Sequence, residues 1–278
     1  MFVCPNCKNE IDLEFTCCDQ CKFEFKYTNK RFIYNYDKLL FNNYKEKYLL
    51  NKVLNNNGYI SYKFLQDGSL SLPERDDVKR FKNYLLKQIT LKQYCNILDV
   101  GCGLLEVPGY LDFKSNNIEF YGLEPLEESK FFGNLITGCS EYIPLKDNSI
   151  DYIIFATSLD HVCSIDETLK EVYRVLKNNG KVIIWMSDQS KTLLERIKNK
   201  IRILRENIKK GYRTDLYYVY PNFTVLQVPN GAVDPFHSFF ESPQVIKKMF
   251  INNDFEFDNI DYHSKNQVFL TFTKNIEK

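Results

Sequence analysis

The sequence predicts an α/β fold, a doubly wound and mostly parallel sheet, and three observations carry that prediction. The stretch Asn96 to Val107, NILDVGCGLLEV, reads as a short buried strand that turns through Gly101 and Gly103 towards a helix. From Asn96 onward short apolar runs alternate with helical patterns, the mark of a parallel sheet covered on both faces. Asp99, Glu124, Ser140 and Thr157 each fall just after a predicted strand. In such sheets ligands bind at those strand ends, so the four side chains are expected to converge.

Taken in order, Asp37 to Leu54 predicts a helix that ends at Asn55-Asn56-Asn57-Gly58. A second helix opens at Pro73 and carries Val78, Phe81, Leu85 and Ile89 at helical spacing. The first core strand follows at Ile97, the second runs from Ile118 to Leu123 and ends at Glu124, and Leu135 and Ile136 mark a short third. Ile150 to Ala156 is the fourth strand. Ile165 to Leu176 is an amphipathic helix stopped by Asn178-Asn179-Gly180, and Val182 to Met186 is the fifth strand. After Pro243, Val245 to Ile251 reads as a short helix, and Phe255 to Ile260 and Val268 to Phe272 as closing strands.

At 278 residues the chain can bury a full core with an appendage, and 44% apolar with 26% charged residues is the composition of a soluble globular protein. A net charge of +1 supplies no global field towards nucleic acid. No run approaches the roughly 18 to 20 apolar residues of a membrane span, and the N-terminus lacks an export pattern, which points to the cytoplasm. With no such pattern, nine cysteines argue against a disulfide framework.

Four of those cysteines form two Cys-x-x-Cys pairs, Cys4–Cys7 and Cys18–Cys21, ten residues apart. Each pair suits a tight turn that aims two thiolates at one point, and two such turns make a tetrahedral site for structural zinc. The intervening IDLEF reads as a strand, and Cys17 is an alternative ligand to Cys18. The predicted organisation is a zinc-ribbon-like module over 1–30, a helical connector over 31–93, and an α/β domain over 94–278 with a helical, lid-like insertion at about 188–240.

Four segments in series carry a family resemblance: NILDVGCG, FYGLEP, GCSEYIPLKDNSIDYIIFATSLDHV and LKEVYRVLKNNGKVIIW. Through them residues 96 to 186 resemble a class I S-adenosylmethionine-dependent methyltransferase, of the broad group that modifies small molecules, sugars and lipids. The resemblance implies a Rossmann-like domain in which Asp99, Gly101 and Gly103 line the methionine portion of S-adenosylmethionine. It implies that Glu124 hydrogen-bonds the ribose hydroxyls, that the Cys139-Ser140-Glu141 turn edges the adenine, and that Thr157 sits beside the transferred methyl. Leu105 stands where the family often has a third glycine, and Cys139 where it often has Asp.

Methyl transfer from a sulfonium needs an aligned acceptor, excluded water and, for an amine or hydroxyl acceptor, a base. His161, beside Asp160, follows the fourth strand, and His237, in Asp234-Pro235-Phe236-His237, lies in a motif similar to one found before the last helix of sugar- and lipid-modifying relatives. These four are the candidate catalytic residues. His263, in the closing hairpin, is read as inert. Ser190 to Arg213 holds nine Lys or Arg and two Glu, with Leu193, Ile197, Ile201, Leu204 and Ile208 on one helical stripe. Such a helix suits a lid for an anionic acceptor, a phosphorylated or lipid-linked saccharide, or a contact with an anionic membrane surface. The expected activity is therefore methyl transfer to a small-molecule or saccharide-type acceptor. The alternatives are an RNA base methyltransferase, since some ribosomal RNA methyltransferases also carry an N-terminal zinc module, and a non-catalytic binding protein that keeps the fold.

Overall fold

Tertiary order begins with two short strands, β1 (Phe25–Thr28) and β2 (Arg31–Tyr34), that pair as an antiparallel hairpin. The computed structural model describes residues 1–43, 72–90, 94–113, 117–188, 201, 242–264 and 267–275, and four two-residue strands between 219 and 234. Helix α1 is described over 36–43; the rest of the helix expected to reach Leu54 lies outside the described residues. Helix α2 (Asp76–Gln88) starts three residues after Pro73, not at it. Asp76 and Asp77 occupy its first turn, where carboxylates suit the exposed N–H groups.

The core strands are β3 (Cys95–Val100), β4 (Ile118–Glu124), β5 (Asn134–Thr137), β6 (Ile150–Ala156) and β7 (Leu176–Ser187). Helix α3 (Ile165–Val175) lies between β6 and β7. The turn expected at Asn178-Asn179-Gly180 falls inside β7, with Asn179 at a left-handed φ of 62°. Helix α4 (Pro243–Asn252) has Pro243 in its first turn and is capped by the Ser242 side chain, which accepts the Val245 N–H. It leads into β12 (Phe255–Ser264) and β13 (Gln267–Lys274), after the four two-residue strands β8 to β11.

One nine-stranded sheet results, in the order β1-β2-β5-β4-β3-β6-β7-β13-β12. From β2 through β7 every neighbouring pair is parallel, and the two edge pairs and β13–β7 are antiparallel. The strand order reverses at β3, which has β4 on one side and β6 on the other, so a crevice opens at the carboxyl ends there. Ile97 packs against the α2 residues Val78, Phe81 and Leu85, whereas Leu98 belongs with Leu169 and Val172 of α3 and Phe250 of α4. Both faces are therefore covered, as the doubly wound class requires. This is the Rossmann-like α/β fold of class I methyltransferases.

The first residues share that second core. Phe32 of β2 is fully buried and stacks on Phe2 at 4.9 Å and on Phe25 at 5.3 Å between ring centroids. Phe2, Cys4, Cys18 and Phe25 join Tyr121, Leu123 and Ile136 in one cluster. Beyond packing, Lys8 donates to Glu171 of α3 at 2.6 Å, and Arg174 binds that same carboxylate and the carbonyls of Ile143 and Leu145. The boundary expected at 30/31 falls in the turn between β1 and β2, so the module and the domain share a sheet. The strand expected at Ile11 to Phe15 is a turn: Asp12 accepts the Glu14 N–H through Oδ1 and the Phe15 N–H through its carbonyl.

Replacing Phe32 with Ala should destabilise the protein by about 3–5 kcal/mol in urea unfolding, because the cavity lies between two rings and cannot collapse fully.

Candidate functional site

At the crevice, β3 ends on Val100 and the chain turns through Gly101 and Gly103 at φ values of +75° and +74°. A side chain at Gly101 would stand 2.4 Å from the Ser158 Cβ, so only glycine lets the β6 exit approach this closely. A Cβ on Gly103 would meet nothing within 4 Å, so the loop faces open space there. The Ser158 hydroxyl donates to the Val100 carbonyl and ties the two strand exits together.

Two carboxylates stand at this corner. Asp99 is fully buried; its Oδ2 accepts the Tyr110 hydroxyl at 2.8 Å, and its Oδ1 has no partner among the described residues. Glu124 accepts the Gly103 N–H through Oε2 at 2.9 Å and the Leu126 N–H through Oε1 at 3.2 Å. Burial pushes both carboxyls up to about 7, and the hydrogen bonds pull back only in part. An unpartnered buried carboxylate oxygen at the strand end that leads into the glycine turn fits a ligand amine. The second lone pairs on the Glu124 oxygens fit ligand hydroxyls.

The remaining expected residues are placed as follows. Thr157 takes φ +60°, an outlier for a β-branched residue, while its N–H donates to the Trp185 carbonyl at 2.9 Å. That strained corner carries the chain from β6 to the short helical turn Leu159–His161. There His161 Nε2 lies 3.8 Å from Asp160 Oδ1, and both side chains are half-buried. After β5, the Cys139 thiol is half-buried, but Ser140 and Glu141 are buried and turned to α3. Glu141 Oε1 accepts the N–H groups of Cys163 and Ser164 at 2.6 and 2.9 Å, and the Ser140 hydroxyl meets that of Thr168 at 2.8 Å. Their polar atoms thus cap a helix that Ser164 leaves without a side-chain cap. Asp234 lies in β11 (Val233–Asp234), paired with β10 (Leu226–Gln227), while His237 and the basic stretch 190–213, save Ile201, lie outside the described residues.

Sequence reasoning missed three residues. Tyr110 holds Asp99. Ser129, buried, donates to the Gly103 carbonyl at 2.6 Å. Tyr34 holds the turn at Cys139. None stands in a motif.

At the N-terminus the Sγ atoms of Cys4, Cys7, Cys18 and Cys21 all lie within 4.8 Å of one another, with Cys4–Cys21 at 3.5 Å and Cys7–Cys18 at 3.6 Å. A zinc tetrahedron with bonds of about 2.3 Å has sulfur–sulfur edges of about 3.8 Å, so the set fits zinc. The two halves repeat one turn. The Lys8 N–H returns to the Cys4 carbonyl and the Lys22 N–H to the Cys18 carbonyl, each at 2.9 Å, with both lysines at positive φ. That repeat selects Cys18; Cys17 bridges to Glu24 instead.

Residues 98–184 match a family model described as a methyltransferase domain. An uncharacterized protein of Methanocaldococcus jannaschii is 27% identical over 155 residues, 52% of this chain and 65% of that one. A demethylmenaquinone methyltransferase of Listeria welshimeri is 30% identical over 118 residues, 37% of this chain and 49% of that one. The chain thus spans about half to two thirds of the length of these relatives. Among solved structures, the Burkholderia thailandensis 1,6-didemethyltoxoflavin-N1-methyltransferase, with 1,6-didemethyltoxoflavin and S-adenosylhomocysteine bound, has a TM-score of 0.54 at 9% identity, covering 81% of this chain and 89% of that one. That likeness concerns the fold. The crevice between β3, β4 and β6 therefore lies within the stretch that matches a methyltransferase domain.

Proposed function

We propose that this protein is an S-adenosylmethionine-dependent methyltransferase acting on a small-molecule or saccharide-type acceptor, with structural zinc in its N-terminal knuckle. The observation that carries the reading is the pair of buried acids at the reversal of strand order, Asp99 with Oδ1 unpartnered among the described residues and Glu124 bonded to the Gly103 N–H. The domain match over 98–184 supports the activity, and the small-molecule substrates in the names of the similar enzymes support the acceptor class.

When bound, S-adenosylmethionine supplies a methyl group on a positively charged sulfur. In this reading Asp99 Oδ1 accepts from the amine, and the backbone at Gly101 and Gly103 takes the methionine portion. Glu124 takes the ribose hydroxyls with the lone pairs that Gly103 and Leu126 leave. The turn Cys139-Ser140-Glu141 edges the base through its backbone and the Cys139 thiol, since the side chains of Ser140 and Glu141 serve α3. Thr157 stands at the methyl end. His161 is the candidate base for an amine or hydroxyl acceptor, and Asp160 orients its ring. Asp234 and His237 are the further candidates for contact with the acceptor, and the basic stretch 190–213 is the candidate for attracting an anionic one, phosphorylated or lipid-linked. Cys4, Cys7, Cys18 and Cys21 hold the zinc, which leaves no open position and so serves folding.

Calorimetric titration with S-adenosylhomocysteine tests the cofactor assignment: binding in the micromolar range is expected, and none at millimolar ligand would overturn it. A steeply salt-dependent complex with RNA would overturn the acceptor class.

Asp99→Asn should weaken that binding by about 10- to 100-fold, the loss of a charge-assisted bond. The same change should raise the thermal midpoint of the ligand-free protein at pH 8. A carboxyl held near pH 7 by burial weighs on the fold only as it ionises, so the gain should vanish near pH 4. Wild-type affinity should rise from pH 6 to pH 8 as Asp99 and Glu124 ionise.

Metal analysis should find zinc bound in wild type and in Cys17→Ser. Cys18→Ser should lose it, with a lowered thermal midpoint.

A further inference from the structure

The N-terminal hairpin reaches the crevice through two tyrosines. Tyr34, the last residue of β2, is buried, and its ring lies against Gly138, where a Cβ would stand only 2.2 Å from it. Its hydroxyl accepts the Cys139 N–H at 3.1 Å, and the carbonyls of Tyr142 and Cys139 lie at 2.8 and 3.2 Å for its one proton. One hydroxyl thus holds both ends of the turn that follows β5. Two residues on, the Tyr36 hydroxyl donates to the carbonyl of Pro125, next to Glu124. The two loops also join directly, the Gly138 N–H donating to the Glu124 carbonyl at 3.2 Å.

We propose that Tyr34 is a positioning residue for the base: the N-terminal hairpin builds the adenine wall of the crevice by ordering the backbone of residues 139–142. This rests on the reading of the crevice as an S-adenosylmethionine site. The side chains of that turn leave little else to read a base with. Ser140 and Glu141 are committed to α3, and the Cys139 thiol is a weak acceptor and donor. Discrimination between bases then falls to backbone N–H and C=O groups, which select only if they are held in place. The ring of Tyr34 keeps its own packing, with Phe32 at 6.2 Å and Phe23 at 6.4 Å, so the hydroxyl can be removed without removing the ring.

The test is Tyr34→Phe, titrated with S-adenosylhomocysteine and with S-inosylhomocysteine, in which a carbonyl replaces the 6-amino group of the base. The expected result is a loss of about tenfold in affinity for the adenosyl compound. The inosyl compound should lose less than about twofold, so that selectivity narrows. Equal losses for the two, or no loss, overturn the positioning role, as does a variant that thermal melting shows to be unfolded. A wild-type protein that binds neither compound overturns the proposal together with the cofactor reading, whereas wild-type binding with unchanged selectivity in the variant overturns the proposal alone.

Discussion

Glu124 grips two backbone N–H groups with the two oxygens of one buried carboxylate, and the geometry of the crevice follows from that grip. Gly103 belongs to the loop after β3 and Leu126 to the loop after β4, so the side chain fastens two strand exits at the reversal of strand order. The bonds only partly offset the cost of burying the charge. Asp99, with one oxygen on Tyr110 and one without a partner, carries a similar burden. The folded chain holds these acids in an unfavourable place before any ligand arrives. On the proposed reading that is what a preorganised polar site costs, and a cationic or hydroxyl-bearing ligand would relieve it.

A second set of contacts makes the knuckle part of the domain. The Cys4 and Cys18 turns pack under Phe2, Phe25 and Phe32, and β2 continues the parallel sheet beside β5. The pair Lys8–Glu171 then fixes the first turn to α3, and Arg174 shares the carboxylate while binding two carbonyls before β6. Buried ion pairs stabilise only when their remaining hydrogen bonds are met, and Arg174 meets its own among Glu171, Asp147 and those carbonyls. Capping of α3 by Glu141 belongs to the same region, so the turn after β5 is held from α3 and from β2 alike.

The alternating core was legible because its strands are largely buried and β3, β4 and β5 end at glycine or acidic corners; β6 over Ile150–Ala156 has the bounds its apolar run implies. The glycines at 101 and 103 were legible for the same reason, since only their residue type tolerates such turns. What was not legible depends on partners far along the chain. The β1–β2 hairpin reads locally as a Tyr-, Phe- and Lys-rich connector, and becomes sheet only because β5 lies beside it. Ile11 to Phe15 has strand-like spacing, but the carboxylate of Asp12 offers its own backbone a turn. Cys17 and Cys18 are adjacent, and the Cys-x-x-Cys spacing that favours Cys18 is joined by the repeated turn geometry only in the folded chain. Tyr34 finds Cys139 across 105 residues, a contact that no local pattern encodes.

The hairpin also changes where the sheet stops. Without it, β5 would be the boundary, offering the unpaired backbone of Asn134–Thr137 and the buried faces of Leu135 and Ile136 to any passing chain. With it, the outermost strand is β1, four residues long and carrying Lys26. Short, charged rims of that kind resist self-association. A protein shortened to begin after Tyr34 would expose the sticky margin, and clumping in solution would accompany the loss of the turn that Tyr34 holds.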